Sequence, residues 1–328
     1  MKTPLVPLLL PTSLALATGA SALNVALSND DGWDAPGIQA LKSELESRGH
    51  TVTLAAPLDQ QSGSSAAIDI AIPPENILII KRESSNEYSV AKQSGTEGAE
   101  PATSALMAIA ISTEANGVAP DLLVTGINSG ANVGSATQIS GTVGGAIAGL
   151  ANGFNGSVPA VAISTDEPCE EDEAEPEDLA ACQAENAAHY AEVAAFTADF
   201  IAHLESKPGF LNSVSGLLPQ GVGLNINYPP LPRAAVAGVK LSNQGRVFTS
   251  GGIPLNLRFR CFFGCTTIDE GDITFAGIGA ADFDPTEDVM NSDATNFNAG
   301  YITVVPIEPD YTAKNSSSFN SVIENFDF

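Results

Sequence analysis

Residues Asn24–Ile38 read N-V-A-L-S-N-D-D-G-W-D-A-P-G-I. Val25–Leu27 is an apolar run typical of a buried strand, and it leads into the adjacent carboxylates Asp30 and Asp31. A helix is predicted to open at the Pro-Gly pair that follows, because proline suits the first turn of a helix. The pattern therefore places two carboxylates at the C-terminal end of a strand, which is where open α/β sheets bind ligands.

Asp30 and Asp31 need a partner for their charge. Two adjacent carboxylates repel each other unless a cation, a proton or hydrogen-bond donors lie between them. A hard divalent metal is the natural occupant, since such ions favour oxygen ligands. The alternative is a strand-to-helix loop whose aspartates only cap the following helix, and the spacing alone leaves both open.

The first half of the chain alternates strand and helix patterns. Strands are predicted at Val25–Leu27, Thr51–Ala55, Ile68–Ile72, Ile77–Ile80, Tyr88–Ala91, Leu122–Thr125 and Ala160–Ser164, and helices at Gly37–Ser47, Thr103–Ile111, Thr142–Gly149 and Leu179–Leu204. Repeated βα units imply an α/β fold, with a Rossmann-like, mostly parallel sheet and helices on both faces. A core over residues 23–228 is expected, and residues 229–328 are expected to add a β-rich, irregular C-terminal extension that completes the same domain.

The N-terminus is typical of a secretory signal peptide over residues 1–22. Lys2 supplies a positive start, Leu5–Leu16 is apolar, and Ala20-Ser21-Ala22 fits a small-residue cleavage site. No later segment is apolar for long enough to cross a bilayer. We therefore expect an exported protein that does not span a membrane.

Four cysteines agree with export, because they fall into two local pairs that an oxidising compartment would join. These pairs are Cys169 with Cys182 and Cys261 with Cys265. A zinc site at the second pair is disfavoured, since no histidine lies near it in sequence. Asn155-Gly156-Ser157 and Asn315-Ser316-Ser317 match the glycosylation sequon of exported proteins.

The formal net charge of −26 excludes partners that require basic surface, namely nucleic-acid polymers and anionic membranes. It also means that an anionic substrate would have to be drawn in by a local cation. The densest acidic stretch, residues 166–178, is expected to be a solvated surface loop closed by Cys169 and Cys182.

Two further loops follow predicted strands and are expected to face the same site. Ser62-Gly63-Ser64-Ser65 supplies hydroxyl oxygens, and Asn128 supplies an amide oxygen just beyond a strand. Ser140, Gly141 and Thr142 lie at a helix start, where free N–H groups favour an anion such as phosphate. Ordinary helix capping is the alternative there. The lysine of a Walker loop is missing, and no G-x-G-x-x-G follows the first strand.

Together these motifs resemble the SurE (survival protein E) family of metal-dependent nucleotidases and phosphatases. The matching stretches, in chain order, are S-N-D-D-G with A-P-G-I in Ser28–Ile38, A-P and S-G-S-S in Ala56–Ser65, P-D-L-L-V-T-G-I-N-S-G-A-N-V-G in Pro120–Gly134, and S-G-T-V-G-G-A in Ser140–Ala146. L-N-I-N-Y-P at Leu224–Pro229 and G-Y-I-T-V-V-P at Gly300–Pro306 look like two later family strands.

The resemblance implies a divalent metal, Mg²⁺ or Mn²⁺ first and Ca²⁺ as an alternative, held by four oxygen donors. Those donors would be Asp30, Asp31, Ser62 and Asn128. It implies that Asp30 and Asp31 are catalytic, and that the substrate phosphate is bound by Asn128, Ser140, Gly141 and Thr142. It also implies hydrolysis of small phosphomonoesters, commonly nucleoside monophosphates.

Three departures from the family pattern bear on the substrate. Acidic residues are usual after the G-x-N-x-G stretch, where this chain has Ser135-Ala136-Thr137. The family's G-T-P motif is interrupted between Gly95-Thr96 and Pro101. The signal peptide and cysteines are more similar to secreted, fungal-type SurE-like acid phosphatases. We predict a secreted acid phosphatase or 5′-nucleotidase. A secreted, non-catalytic binding or surface protein is the alternative, and a homodimer is left open.

Overall fold

The computed structural model describes residues 22–70, 72, 77–151, 156–171, 174–207, 217–247, 249–250, 253–260, 275–280 and 287–310, with only the backbone given between 249 and 280. The strands are β1 Asn24–Ser28, β2 Thr51–Pro57, β3 Ile79–Ser84, β4 Glu87–Ala91, β5 Leu122–Ser129, β6 Ala160–Thr165, β7 Gly223–Tyr228, β8 Gly238–Leu241, β9 Thr249–Ser250, β10 Ile253–Arg260, β11 Phe275–Ala280 and β12 Tyr301–Ile307. The helices are α1 Pro36–Ser47, α2 Pro101–Asn116, α3 Gly141–Leu150, α4 Leu179–Glu205 and α5 Asp293–Asn298.

One mixed sheet carries the strands in the order β3-β4-β2-β1-β5-β6-β7-β12-β8. Pairing is parallel from β4 through β7 and again between β12 and β8, and it is antiparallel for β3 with β4 and β12 with β7. This confirms the predicted α/β class with a mostly parallel sheet. Because β1 has β2 on one side and β5 on the other, the chain changes direction across the sheet at β1, where such folds bind ligands.

Helices cover both faces of the sheet, and alternation along the strands assigns each side chain to one of them. In β1, Val25 and Leu27 pack with α1 and α4, whereas Ala26 faces α2 and α3. The second face is built from small residues. A Cβ on Gly149 of α3 would lie 2.4 Å from Leu123 Cδ2, so the glycine leaves room for this leucine side chain between α3 and the sheet.

β5 is longer than the sequence predicted, because the glycine-rich stretch after Thr125 continues the strand to Ser129 instead of leaving it. Gly126 takes φ +122°, and a Cβ there would lie 2.1 Å from the carbonyl oxygen of Ile163 on β6. The register between β5 and β6 shifts between Thr125 and Asn128. Gly126 thus accommodates an irregularity within the strand. The sequence did not predict this part of β5, because a glycine-rich composition is typical of loops.

The predicted strand Ile68–Ile72 is wrong for the residues that the structure describes there, which lie outside any strand. Asp69 instead ties this stretch to the start of α2: its N–H donates to Thr103 Oγ1 at 2.7 Å, and its carboxylate accepts from the Glu100 N–H at 2.7 Å. Its backbone is therefore bonded to a helix start and not to a sheet edge.

The C-terminal third contributes β8 and β12 to the main sheet, while β9, β10 and β11 form a separate three-stranded sheet. Within the described ranges, no helix is long and apolar enough to cross a membrane. Residues 1–21 of the predicted signal peptide, the asparagines of both sequons, and Cys261 with Cys265 lie outside the described residues. The bond Cys169–Cys182 is present, as predicted.

Candidate metal and phosphate site

Asp30 lies just beyond β1 and is 2% exposed. One carboxylate oxygen accepts a hydrogen bond from the Thr142 hydroxyl, and the N–H groups of Thr142 and Gly141 at the start of α3 also bond this side chain. Burial raises the pKa of Asp30 above its usual value, and these hydrogen bonds oppose the rise. The positive end of α3 therefore acts directly on the Asp30 carboxylate.

Asp31 is held by the end of β5. Its Oδ2 accepts from the Ser129 N–H at 3.0 Å, while its Oδ1 is buried without a hydrogen-bond partner among the described residues. Burial, reinforced by the charge of Asp30, raises the pKa of Asp31 to about 7. An orphaned carboxylate oxygen in such a place costs free energy unless a cation or a proton meets it.

Asn128 presents a second orphaned oxygen. Its amide nitrogen donates to the carbonyls of Gly130 at 2.6 Å and Ser129 at 3.2 Å, which fixes the orientation of the amide. Its Oδ1 is buried and has no partner within the described part of the chain. Since Asp31 is bonded to the residue next to Asn128, both free oxygens lie at the junction of β1 and β5.

The loop that carries Ser62 is bonded to this junction, because the Gln61 N–H donates to the Asp30 carbonyl at 2.7 Å. Further along, a Cβ on Gly144 of α3 would lie 2.0 Å from the Ser65 carbonyl oxygen, so the loop runs against the helix. The side chain of Ser62 itself is exposed. Ser62 thus lies on the solvent side of Asp30, next to the site and not within its buried part.

The three residues at the start of α3 already have structural roles. Ser140 is the N-cap, with its hydroxyl accepting from the Val143 N–H at 3.1 Å, as the capping alternative predicted. Thr142 bonds Asp30. A Cβ on Gly141 would lie 2.8 Å from both Cβ and Oδ2 of Asp30, so the glycine is required for the approach of this carboxylate to the helix. Sequence reasoning missed the pairing of Thr142 with Asp30.

Sequence reasoning also missed Glu167, because it placed this residue in a solvated loop. Glu167 Oε1 accepts from the Tyr190 hydroxyl at 2.6 Å and Oε2 accepts from Asn186 Nδ2 at 3.2 Å, both on α4. Its charge contributes to the raised pKa of Asp31, after burial and Asp30. The signal that could have found it is its place two residues after β6, at the same edge of the sheet as Asp31 and Asn128.

Asn132 joins the loop after β5 to the neighbouring strands. Its N–H donates to Asn227 Oδ1 at 2.7 Å, its amide nitrogen donates to Ser164 Oγ at 2.8 Å, and its carbonyl accepts from Asn225 Nδ2 at 2.9 Å. These buried bonds hold the loop that carries Asn128 against β6 and β7. The asparagines of the N-I-N motif in β7 therefore help to hold the loop that carries Asn128 in place.

The donors fit a hard divalent cation. Buried orphan oxygens from Asp31 and Asn128, the adjacent carboxylate of Asp30 and the nearby Ser62 hydroxyl form an all-oxygen set. Across the described residues, no three or more His, Cys, Asp or Glu side chains are grouped so as to hold a metal. Because the four donors named above are all oxygens, they favour hard cations over metals that prefer sulfur or imidazole.

A mostly parallel sheet, covered by helices on both faces and with paired carboxylates after its first strand, defines an α/β protein with an acidic site at the strand ends. The family profile described as "Survival protein SurE" matches residues 25–250. The chain belongs to the SurE family, as its motifs predicted.

Two relatives and one solved structure give the extent of the similarity. The chain is 30% identical over 305 residues to the 5′/3′-nucleotidase SurE of Yersinia enterocolitica, covering 93% of this chain and 97% of the relative. It is 30% identical over 295 residues to the 5′-nucleotidase SurE of Caulobacter vibrioides, covering 88% and 92%. The SurE protein structure from Aquifex aeolicus aligns with a TM-score of 0.64 at 24% identity, over 92% of this chain and 99% of that one.

Proposed function

We propose that this SurE-family protein is a divalent-metal-dependent phosphomonoester hydrolase, acting as an acid phosphatase or 5′-nucleotidase. The observation that carries the proposal is the pair of buried, unpartnered oxygens of Asp31 and Asn128 beside the Asp30 carboxylate. The relatives bear nucleotidase names and match nearly their whole length, which supports the same chemistry here.

In the proposed site, Asp30, Asp31 and Asn128 hold the metal from the protein side, and Ser62 completes the set from the solvent side. Oxygen ligands alone favour Mg²⁺ or Mn²⁺, with Ca²⁺ as an alternative. When bound, the metal supplies positive charge for the phosphoryl oxygens and lowers the pKa of a coordinated water. Among the described residues, no ion pair joins a lysine or an arginine to Asp30 or Asp31.

The chain's own residues position the reaction. The α3 N-terminus orients Asp30 through Thr142 and Gly141, and we propose that the substrate phosphate meets the same helix end, with Ser140 at its rim. The N–H groups of Gly141 and Thr142 bond Asp30 and that of Val143 bonds Ser140, so this helix end would act on the phosphoryl group through its dipole. Asp30 is the proposed general base, because burial raises its pKa and the donors at the helix start fix its position.

For the substrate, we propose a small phosphomonoester with little selection of the leaving group. The segment Gly95–Thr103 contains no aromatic residue that could stack on a base. Much of its polar capacity is used internally: the Gly98 N–H donates to Asp59 at 2.6 Å, and Glu97 and Glu100 both pair with Lys92. Binding through the phosphate then contributes more than binding through the base.

Export from the cell, removal of residues 1–22 and glycosylation belong to the same proposal. The disulfide Cys169–Cys182 supports it, since such bonds persist in oxidising compartments. The alternative to be tested is a secreted binding protein that does not catalyse hydrolysis.

The test is phosphate release by the purified mature protein, assayed with an aryl phosphate and nucleoside monophosphates, with several divalent metals, from acidic to neutral pH. Chelation should abolish the activity and metal should restore it. Asp31→Asn should remove the metal-dependent activity, while Asp34→Asn, an exposed aspartate in the same loop, should retain it. Absence of hydrolysis with every metal and monoester would instead favour the binding protein.

A further inference from the structure

Glu167 is connected to Asp31 through a short series of contacts. The Tyr190 hydroxyl donates to Glu167 Oε1 at 2.6 Å and also bonds the side chain of Ser129. The backbone N–H of the same serine donates to Asp31 Oδ2 at 3.0 Å. Tyr190 is 3% exposed, so its own contacts are buried, whereas Ser129 lies at the surface and Glu167 is partly buried. Tyr190 therefore connects Glu167 to the serine that bonds Asp31.

The position of Glu167 is fixed from both sides. Asn186 on α4 donates to Glu167 Oε2 at 3.2 Å and to the Cys169 carbonyl at 2.9 Å, and it accepts from the Cys169 N–H at 3.1 Å. Cys169 is bonded to Cys182, which lies on the same helix. The disulfide and the asparagine together hold the loop against α4, two residues from Glu167.

Tyr190 is itself held close to the site. A Cβ on Gly37 of α1 would lie 3.1 Å from the Tyr190 ring and 2.3 Å from the Ile127 carbonyl oxygen. The glycine thus lets the ring pack between α1 and the end of β5. Burial and the bond to Glu167 raise the pKa of Tyr190, so its hydroxyl stays protonated and remains a donor to Glu167.

We place Glu167 outside the ligand set, because both of its carboxylate oxygens accept hydrogen bonds from side chains on α4. Its carboxylate is nevertheless close enough to act on the charge of Asp31. At any given distance, the negative charge of Glu167 attracts a divalent cation bound at Asp31 twice as strongly as it attracts a proton bound there. The net result is tighter binding of the cation.

We propose that Glu167, fixed by Tyr190, Asn186 and the Cys169–Cys182 bond, is a positioning residue that strengthens divalent-cation binding at Asp31 from outside the ligand set. The inference rests on the proposed metal site. It gives the acidic loop a role at the site, in place of the solvated surface that the sequence predicted.

The experiment measures binding of Mn²⁺ to the purified, metal-free protein by electron paramagnetic resonance, independently of turnover. Glu167→Gln removes the charge and keeps the size, and we expect its Mn²⁺ affinity to fall about tenfold, as is usual for partners outside the ligand set. Glu177→Gln removes the same charge from an exposed position of the same loop and should bind as the wild type does.

Tyr190→Phe is the second variant, because it keeps the charge and the ring but removes the hydroxyl that orients Glu167. Its affinity should lie between those of the wild type and Glu167→Gln. Thermal unfolding of each variant shows whether it is folded, and if Glu167→Gln is not, Tyr190→Phe carries the test. At saturating Mn²⁺, kcat should be recovered, which a general structural defect would not allow.

The results separate this inference from the proposed function. Equal Mn²⁺ affinities for the wild type and Glu167→Gln would overturn the role of Glu167 while leaving hydrolysis intact. A protein that hydrolyses no monoester, but loses Mn²⁺ affinity in Glu167→Gln and not in Glu177→Gln, would refute the hydrolase and retain the inference. A wild type that binds no Mn²⁺ would overturn the inference as well.

Discussion

Gly141→Ala tests how closely Asp30 must approach the start of α3. The added Cβ would lie 2.7 Å from Pro101 Cγ and 2.8 Å from both Cβ and Oδ2 of Asp30. Ordinary contacts begin near 3.4 Å, so Asp30 must retreat by about 0.6 Å. Overpacking of this kind costs about 1–3 kcal/mol of stability. Since a misplacement of about 1 Å can cost a hundredfold in rate, we expect kcat/KM to fall on the order of tenfold, about 1.4 kcal/mol.

Gly145→Ala is the matched control in the same helix. Its Cβ would meet Thr125 Cγ2 at 3.2 Å and Ala105 Cβ at 3.4 Å, so slight adjustment accommodates it. The helical preference of alanine, about 1 kcal/mol over glycine, offsets that adjustment. Urea denaturation and metal-saturated kinetics compare the two variants. A Gly141→Ala protein with the stability and kcat/KM of the wild type would refute the reasoning that this glycine is required for the position of Asp30.

Three further predictions address pH, covalent structure and substrate. Burial, aided by the Arg48 charge, lowers the pKa of His50, so the folded state resists a proton that the unfolded state accepts. The stability that neutral His50 contributes is therefore present above pH 6.5 and lost as the pH falls, and His50→Gln should flatten the decline of the urea midpoint between pH 7 and 5. Mass spectrometry of non-reduced peptides should find Cys169–Cys182 and Cys261–Cys265; cross-paired peptides would contradict the local pairing. Aryl phosphates and nucleoside monophosphates should show kcat/KM values within about tenfold of each other, and a preference of several hundredfold for one nucleotide would restore a dedicated nucleotidase.

That Asp30, Asp31 and Asn128 lie close together was predictable because the signal is local. Asp30, Asp31 and Asn128 each stand at or just beyond an apolar strand, and parallel strands bring their carboxyl ends to one edge of the sheet. That rule needs only the hydrophobic pattern and the residue types that follow it. The same information predicted the fold class, since the alternation of strand and helix patterns can be recognised in the sequence itself.

The contacts that tune the site were not predictable, because they join residues far apart in sequence. Thr142 reaches Asp30 across 112 residues, and its hydroxyl could equally have capped the helix. Glu167 lies in an acidic run whose composition favours a solvated loop. Its side chain is nevertheless bonded to Asn186 and Tyr190 on α4, which lie 19 and 23 residues later in the sequence. Composition describes the neighbours along the chain, whereas the structure depends on the neighbours in space.

The buried carboxylate of Asp293 has a consequence for how the protein is made. Its Oδ1 accepts from the N–H groups of Gly134, Gly245 and Ala294, and so fastens the loop after β5 to the last part of the chain. All the proposed metal donors lie before residue 142 and leave the ribosome early. The Gly134 N–H can meet this partner only after Asp293 has been synthesised, so we expect the loop beside Asn128 to be completed late and to lack this support in a product that ends before residue 293.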